Sequence, residues 1–134
     1  MLRSLTSPAP PKAAPAQLAP GLVPQDPGGR QLVAKFFRAL GDPTRLSLLD
    51  YCAGQERGAG ECVRHAQLSQ GRVAAHLACL VTCGLLVSRR QGRLVFYSVR
   101  DPRVLELLRL SRVMVADQAE EIASCTRVDA APAG

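Results

Sequence analysis

The stretch SQGRVAAHLACLVTCGLLVSRRQGRLVFYSV, Ser69 to Val99, limits the possible folds of this chain most tightly. Ser69 stands where a side-chain oxygen can cap a helix. Apolar residues recur at helical spacing beyond it, and Gly84 supplies a C-terminal stop after Cys83. Two β-prone runs around Gln91–Gly92 then predict a hairpin, with Arg89, Arg90 and Arg93 crowding its tip. A helix that ends on a glycine and passes at once into a short basic hairpin leaves few architectures open.

The flanking segments narrow the choice further. RQLVAKFFRAL (Arg30–Leu40) sets Leu32, Val33, Phe36, Phe37 and Leu40 at helical spacing. In GDPTRLSLLDYC, Asp42 can cap free amides and Pro43 can take the first helical position, with Leu46, Leu48 and Leu49 on the buried side. The glycine-rich AGQERGAGE (Ala53–Glu61) reads as a loop. CVRHAQLSQGRVAAHLACLVTCG reads as two helices with a break near Gln67–Ser69. Asp101 and Pro102 open a last helix of about six turns, whose apolar face (Val104, Leu107, Leu108, Val115, Ile122) is long enough to pair with another helix. Four helices, a hairpin and a long helix predict a mainly α fold with a small β-hairpin, a winged helix-turn-helix.

Composition agrees. The chain is 47% apolar with only three Phe and two Tyr, so its core must be largely Leu, Val and Ala, which favours helices over a sandwich. Its 134 residues allow one domain with tails: a disordered Pro/Ala-rich segment over 1–29, the folded domain over 30–125, and a second disordered tail over 126–134. The formal charge of +6 suits a polyanionic partner such as nucleic acid, although an arginine-rich composition alone produces the same excess. Prolines at 8, 10, 11, 15, 20, 24 and 27 break up any apolar signal-peptide core, and the longest apolar run is too short to span a bilayer. The expectation is a cytoplasmic protein with no membrane partner. Five cysteines in a reducing compartment would be thiols, open to metal or redox chemistry. No phosphate-binding glycine loop, no nucleophile with an assignable base and no paired carboxylates stand in the sequence, which argues against an enzyme.

On the residues ALGDPTRLSLL (Ala39–Leu49), Ser69–Val99 and the helix after them, the chain resembles the ArsR/SmtB family of metal-responsive bacterial repressors. The resemblance implies a homodimer joined through its first and last helices, here Arg30–Leu40 and Pro102–Ser124. It implies a recognition helix over Ser69–Cys83 and a wing over Val87–Ser98. The family's arsenite-type site needs Cys-x-Cys where this chain has Cys62-Val63-Arg64. Its zinc-type site needs histidines in the last helix, and this chain has only His65 and His76, both elsewhere. Cys79 and Cys83 look instead like the thiolate pair of the cadmium- and lead-sensing branch, for which Cys125 is the corresponding third thiolate.

One helical turn separates Cys79 from Cys83, so their Cβ atoms lie about 6 Å apart on one face. They could close on a soft ion, with His76 one turn earlier on the same face, or simply pack in the core. Cys62 could be a further ligand or a core residue, and Cys52 reads as core. For DNA, Ser69, Gln70, Gly71 and Arg72 form the turn that would enter a major groove, where Gln70 can meet a base edge and Arg72 a guanine or a phosphate. Arg89, Arg90 and Arg93 suit phosphates and the minor groove. His76 could contact DNA or pack within the motif. The expectation is a dimeric repressor that leaves double-stranded operator DNA when Hg(II), Cd(II) or Pb(II) binds, with As(III) also open and no organic cofactor. A thiol-redox regulator and a small thiol enzyme acting on mercury or arsenic compounds are the rivals.

Overall fold

Most helices begin where the sequence offers a side-chain oxygen for the first free amides. In the computed structural model, which describes residues 21–129, α1 spans Pro27–Leu40, α2 Pro43–Gly54, α3 Ala59–Ala66 and α4 Gln70–Thr82. Asp26 accepts from the Gly29 N–H at 2.8 Å, Asp42 from Arg45 at 2.9 Å and Ser69 from Arg72 at 3.2 Å. Pro27 and Pro43 stand in the first helical turn, where a missing N–H costs nothing. Helix α3 opens differently, with the Glu61 carboxylate accepting from the Gly58 N–H at 2.7 Å.

Three short strands form one sheet of order β1-β3-β2, antiparallel throughout. Strand β1 is only Arg57–Gly58, paired with Tyr97 and Phe96; β2 (Val87–Gln91) and β3 (Leu94–Ser98) form the hairpin. A two-residue loop closes it, with Gly92 at φ +64°. Helix α4 ends in a Schellman motif: Gly84 sits at φ +81°, the Leu85 N–H reaches the Leu80 carbonyl at 2.9 Å and the Gly84 N–H the Val81 carbonyl at 3.0 Å. That motif turns the chain directly from α4 into β2.

The core of this N-terminal unit is aliphatic. Leu48, Leu49 and Cys52 from α2, Cys62 from α3, Val73, Leu77 and Leu80 from α4, and Leu85 and Leu86 beyond it are all at most 2% exposed. Val73, Leu77 and Leu80 recur at i, i+4 and i+7, one face of a helix. Each buried leucine contributes about 1.5–3 kcal/mol, so α4 is held in place mainly by this stripe. Arg45 adds a polar tie between elements: its guanidinium donates to the Ala39 carbonyl at 2.7 Å and the Arg38 carbonyl at 3.1 Å, at the end of α1. It also lies 3.2 Å from His76 Nδ1 on α4.

The residues from Asp101 onward form a second compact unit. Helix α5 (Pro102–Asp117) starts at Asp101, which accepts from the Arg103 N–H at 2.9 Å and pairs with its guanidinium at 2.6 Å. Leu105, Leu110, Val113 and Met114 of α5 are exposed in the single chain, as are Leu32, Val33 and Phe37 of α1. Among the described residues no helix is long and apolar enough to cross a membrane.

Four expected boundaries move. Helix α1 starts at Pro27 rather than Arg30, because Asp26 caps it and Gly29 is buried; a Cβ at Gly29 would lie 1.8 Å from the Pro24 carbonyl oxygen, so only glycine fits there. The expected tail over residues 1–20 lies outside the described residues. The Ala53–Glu61 loop contains β1 and the start of α3. The long last helix breaks at Gln118 (φ −129°, ψ 26°), giving α5 and a short α6 (Ala119–Ser124). Thr126–Asp129, expected in the second tail, forms a single turn, α7, and 130–134 lie outside the described residues.

Candidate functional site

The three-residue turn between α3 and α4, Gln67 to Ser69, has Gln67 in the left-handed region at φ 56°, which redirects the chain into α4. Ser69, Gln70, Gly71 and Arg72 are all exposed at its start. Ser69 Oγ is engaged as acceptor for the Arg72 amide, which leaves its hydroxyl proton free to donate outward. Apart from its own helical backbone, nothing lies within 4 Å of where a Gly71 Cβ would sit, so the backbone there is open to close approach. The positive end of the helix dipole points out through this turn, suited to a phosphate.

The wing arginines differ among themselves. Arg89 is tied to Glu56, with an ion pair at 2.7 Å, and its guanidinium lies 4.7 Å from the Phe96 ring centroid. The carboxylate raises the Arg89 pKa, and the guanidinium holds Glu56 below its usual range. Arg90 and Arg93 are exposed, and neither guanidinium has an ion pair among the described residues. His76 is half-buried and faces Arg45; a guanidinium only donates, so Nδ1 is the acceptor and the imidazole proton sits on Nε2. His65 stacks on Tyr51 with centroids 4.0 Å apart, and its Nε2 lies 2.9 Å from Ser47 Oγ.

At the other end of α4, Cys79 and Cys83 are both half-exposed free thiols, and the Cys83 N–H donates to the Cys79 carbonyl at 3.0 Å. Partial burial, then the charge of Cys79 beside it, push the Cys83 thiol up, while Arg45 and Lys35 pull it back. The pair is thus open to solvent on one side and within the field of two cations. Among the described residues no group of three or more His, Cys, Asp and Glu side chains gathers around a common point, so His76 is not a donor alongside this pair. Two soft sulfurs fit a thiophilic ion and lack the hard oxygens that calcium or magnesium require. Cys125, a half-buried free thiol, caps the C-terminus of α6 in the second unit.

The remaining cysteines form a pair that the sequence did not announce. Cys52 on α2 and Cys62 on α3 have their sulfurs 3.8 Å apart, and they are 1% and 0% exposed. Their shared sulfur hydrogen bond, then burial, push the Cys52 thiol far above the ordinary thiol range. Ten residues separate them, so no helical spacing could have flagged the contact. Arg45 and Glu56 were missed for the same reason.

A helix-turn-helix followed by a basic wing defines a DNA-binding transcriptional regulator of the winged-helix class. Residues 42–88 match the family described as "Bacterial regulatory protein, arsR family". A "Probable mercury resistance operon repressor" of Streptomyces lividans is 53% identical over 95 residues, 71% of this chain and 76% of that protein. The crystal structure of Rv0081 from Mycobacterium tuberculosis superposes with a TM-score of 0.67 at 27% identity, over 75% of this chain and all of that one. The homodimeric winged helix-turn-helix DNA-binding domain Mb0332 from Mycobacterium bovis gives 0.62 at 28% identity, over 72% and 92%. The chain belongs to the arsR family of bacterial regulatory proteins. Its relatives and its fold are those of transcriptional regulators rather than enzymes.

Proposed function

We propose that this protein is a metal-responsive repressor. It binds operator DNA as a homodimer and releases it when a soft heavy-metal ion, Hg(II) first and Cd(II) or Pb(II) after it, is held by Cys79 and Cys83, with Cys125 as the third thiolate. The observation that carries this reading is that one helix has an exposed polar turn at its start and a thiol pair at its end. The exposed turn Ser69–Arg72 opens α4, and the half-exposed thiol pair closes it. Thirteen residues make a rod about 20 Å long, so a small tilt imposed at the thiols reappears at the DNA end. Similarity to a mercury resistance repressor supports the choice of ion. Exposed apolar side chains on α1 and on α5, together with the homodimeric Mb0332 domain, support self-association.

In this reading Gln70 and Arg72 meet base edges, and Arg90 and Arg93 meet phosphates or the minor groove. Arg89 reaches DNA only by leaving Glu56. We assign His76 to the tie between α2 and α4 through Arg45. Linkage requires operator DNA to weaken metal binding by the same factor by which metal weakens DNA binding.

Fluorescence anisotropy on DNA from upstream of the chain's own gene tests the proposal, with Cd(II) and Hg(II) titrated into the preformed complex. The wild type should release the DNA. The Cys79→Ser, Cys83→Ser variant should bind it as tightly and not let go. Release of that variant at wild-type Cd(II) concentrations would sink the assignment of the inducer site.

A further inference from the structure

We infer that Cys52 and Cys62 form a second soft-metal site, buried between α2 and α3, which takes Hg(II) as a linear, two-coordinate, uncharged dithiolate. Nothing in the proposed sensing role of α4 requires it.

Geometry comes first. Metal–sulfur bonds of about 2.3 Å, the thiolate value for zinc, would set the sulfurs of a linear complex about 4.6 Å apart. The observed separation is 3.8 Å. The two helices would need to yield by less than an ångström, split between two side chains. A disulfide needs sulfurs about 2.0 Å apart, a larger movement in the opposite direction within a packed core.

Charge decides which ion. Both thiols are out of water, and an isolated thiolate there is strongly disfavoured. Binding follows two R–SH plus Hg(II) giving RS–Hg–SR plus two protons. The product carries no net charge, so a neutral pair is exchanged for a neutral complex and the desolvation penalty does not arise. Cd(II) and Pb(II) need three or more donors. Among the described residues no third His, Cys, Asp or Glu joins the pair, and at 1% and 0% exposure neither cysteine is open to solvent that could make up the number. The same burial that keeps both sulfurs from solvent therefore makes the site selective for a two-coordinate ion. Entry requires α2 and α3 to part briefly, a local opening well below global unfolding in cost. Once bound, the ion cross-links the two helices and stabilises the domain by mass action.

The test uses the full chain carrying Cys79→Ser, Cys83→Ser and Cys125→Ser, reduced and then titrated with HgCl₂ in an excess of a monothiol. The expected result is one Hg(II) retained per chain by exchange from the monothiol, an unchanged helical circular-dichroism signal and a higher melting temperature. Cd(II) in the same experiment should not be retained. Adding Cys62→Ala should abolish retention. Should that variant fail to fold, the triple variant alone still decides, since its buried pair is native. Loss of Hg(II) to the monothiol, retention of Cd(II), or retention accompanied by loss of helical signal would each overturn the inference. None of these outcomes bears on operator release, so this test and that of the α4 site fail separately.

Discussion

Two cysteine pairs share the N-terminal unit, and they are built in opposite ways. Cys79 and Cys83 lie one turn apart at the end of one helix, half-exposed, with Arg45 and Lys35 partly offsetting the burial that raises the Cys83 thiol. Cys52 and Cys62 come from two helices, are fully buried, and meet only because α2 packs on α3. The first pair is an accessible feature of a rod that also carries the exposed turn Ser69–Arg72. The second is part of what holds the rod's neighbours together. Sulfur serves both positions because a thiol is a small apolar group until it loses its proton, and the surroundings set how readily that happens.

Chemical accessibility should separate the pairs by the largest margin. In the reduced, folded protein, alkylation followed by mass spectrometry should label Cys79 and Cys83 faster than Cys52 and Cys62. The difference should be on the order of a thousand-fold or more, because the buried thiols react only through opening of the core. Comparable labelling rates would show that α2 and α3 part easily and would erase the distinction.

DNA binding should respond next. Arg72→Ala, at the far end of the helix that bears the exposed pair, should weaken operator binding by about 1–3 kcal/mol and relax sequence preference. Arg90→Ala should weaken binding to any sequence and flatten its salt dependence. Arg89→Ala should cost less than Arg90→Ala, since the ion pair with Glu56 must be given up before Arg89 can reach a phosphate. Anisotropy titrations at several salt concentrations measure all three. An equal loss for Arg89 and Arg90 would mean that the Glu56 pair does not hold in solution.

Stability should then divide the pairs in the opposite sense from function. Cys52→Ser places a hydroxyl in an apolar core and should cost about 1–2 kcal/mol. Cys79→Ser and Cys83→Ser, half in water, should stay within about 0.5 kcal/mol of wild type. Urea unfolding of metal-free protein gives these values directly, and a destabilised α4 variant would show that its thiols pack rather than wait.

The division also marks what could be seen in the chain beforehand. Helix starts at Asp42, Ser69 and Asp101 and the stop at Gly84 were legible because a cap is a local hydrogen bond between residues two or three apart. The α4 pair was legible for the same reason, since one turn of helix fixes its spacing. Strand β1 was not: Arg57 and Gly58 carry no strand signal and are extended only because β3 lies beside them. The break at Gln118 has neither glycine nor proline to announce it. The Cys52–Cys62 contact, the Arg45–His76 tie and the Glu56–Arg89 pair join residues 10, 31 and 33 apart, and only the packing of helices and hairpin reveals them.

The smallest effect concerns the field around the exposed pair. Burial and the neighbouring Cys79 raise the Cys83 thiol, and Arg45 and Lys35 counter them. Arg45 also ties α1, α2 and α4 together, so its removal would confound charge with structure. Lys35 is exposed on α1, and Lys35→Gln removes a charge alone. With that cation gone, the thiolate loses a stabilising partner, so the Cys83 thiol moves further up. The alkylation rate of Cys83 should therefore reach its midpoint at a higher pH and be slower near neutrality. Hg(II) or Cd(II) binding, which must displace the same proton, should weaken in step. The shift should shrink as salt rises, because an exposed cation is screened, and Lys35→Arg should restore it. A midpoint that stays put or falls at low ionic strength would show that Lys35 does not act on this thiol, leaving Arg45 as the cation that distinguishes the exposed pair from the buried one.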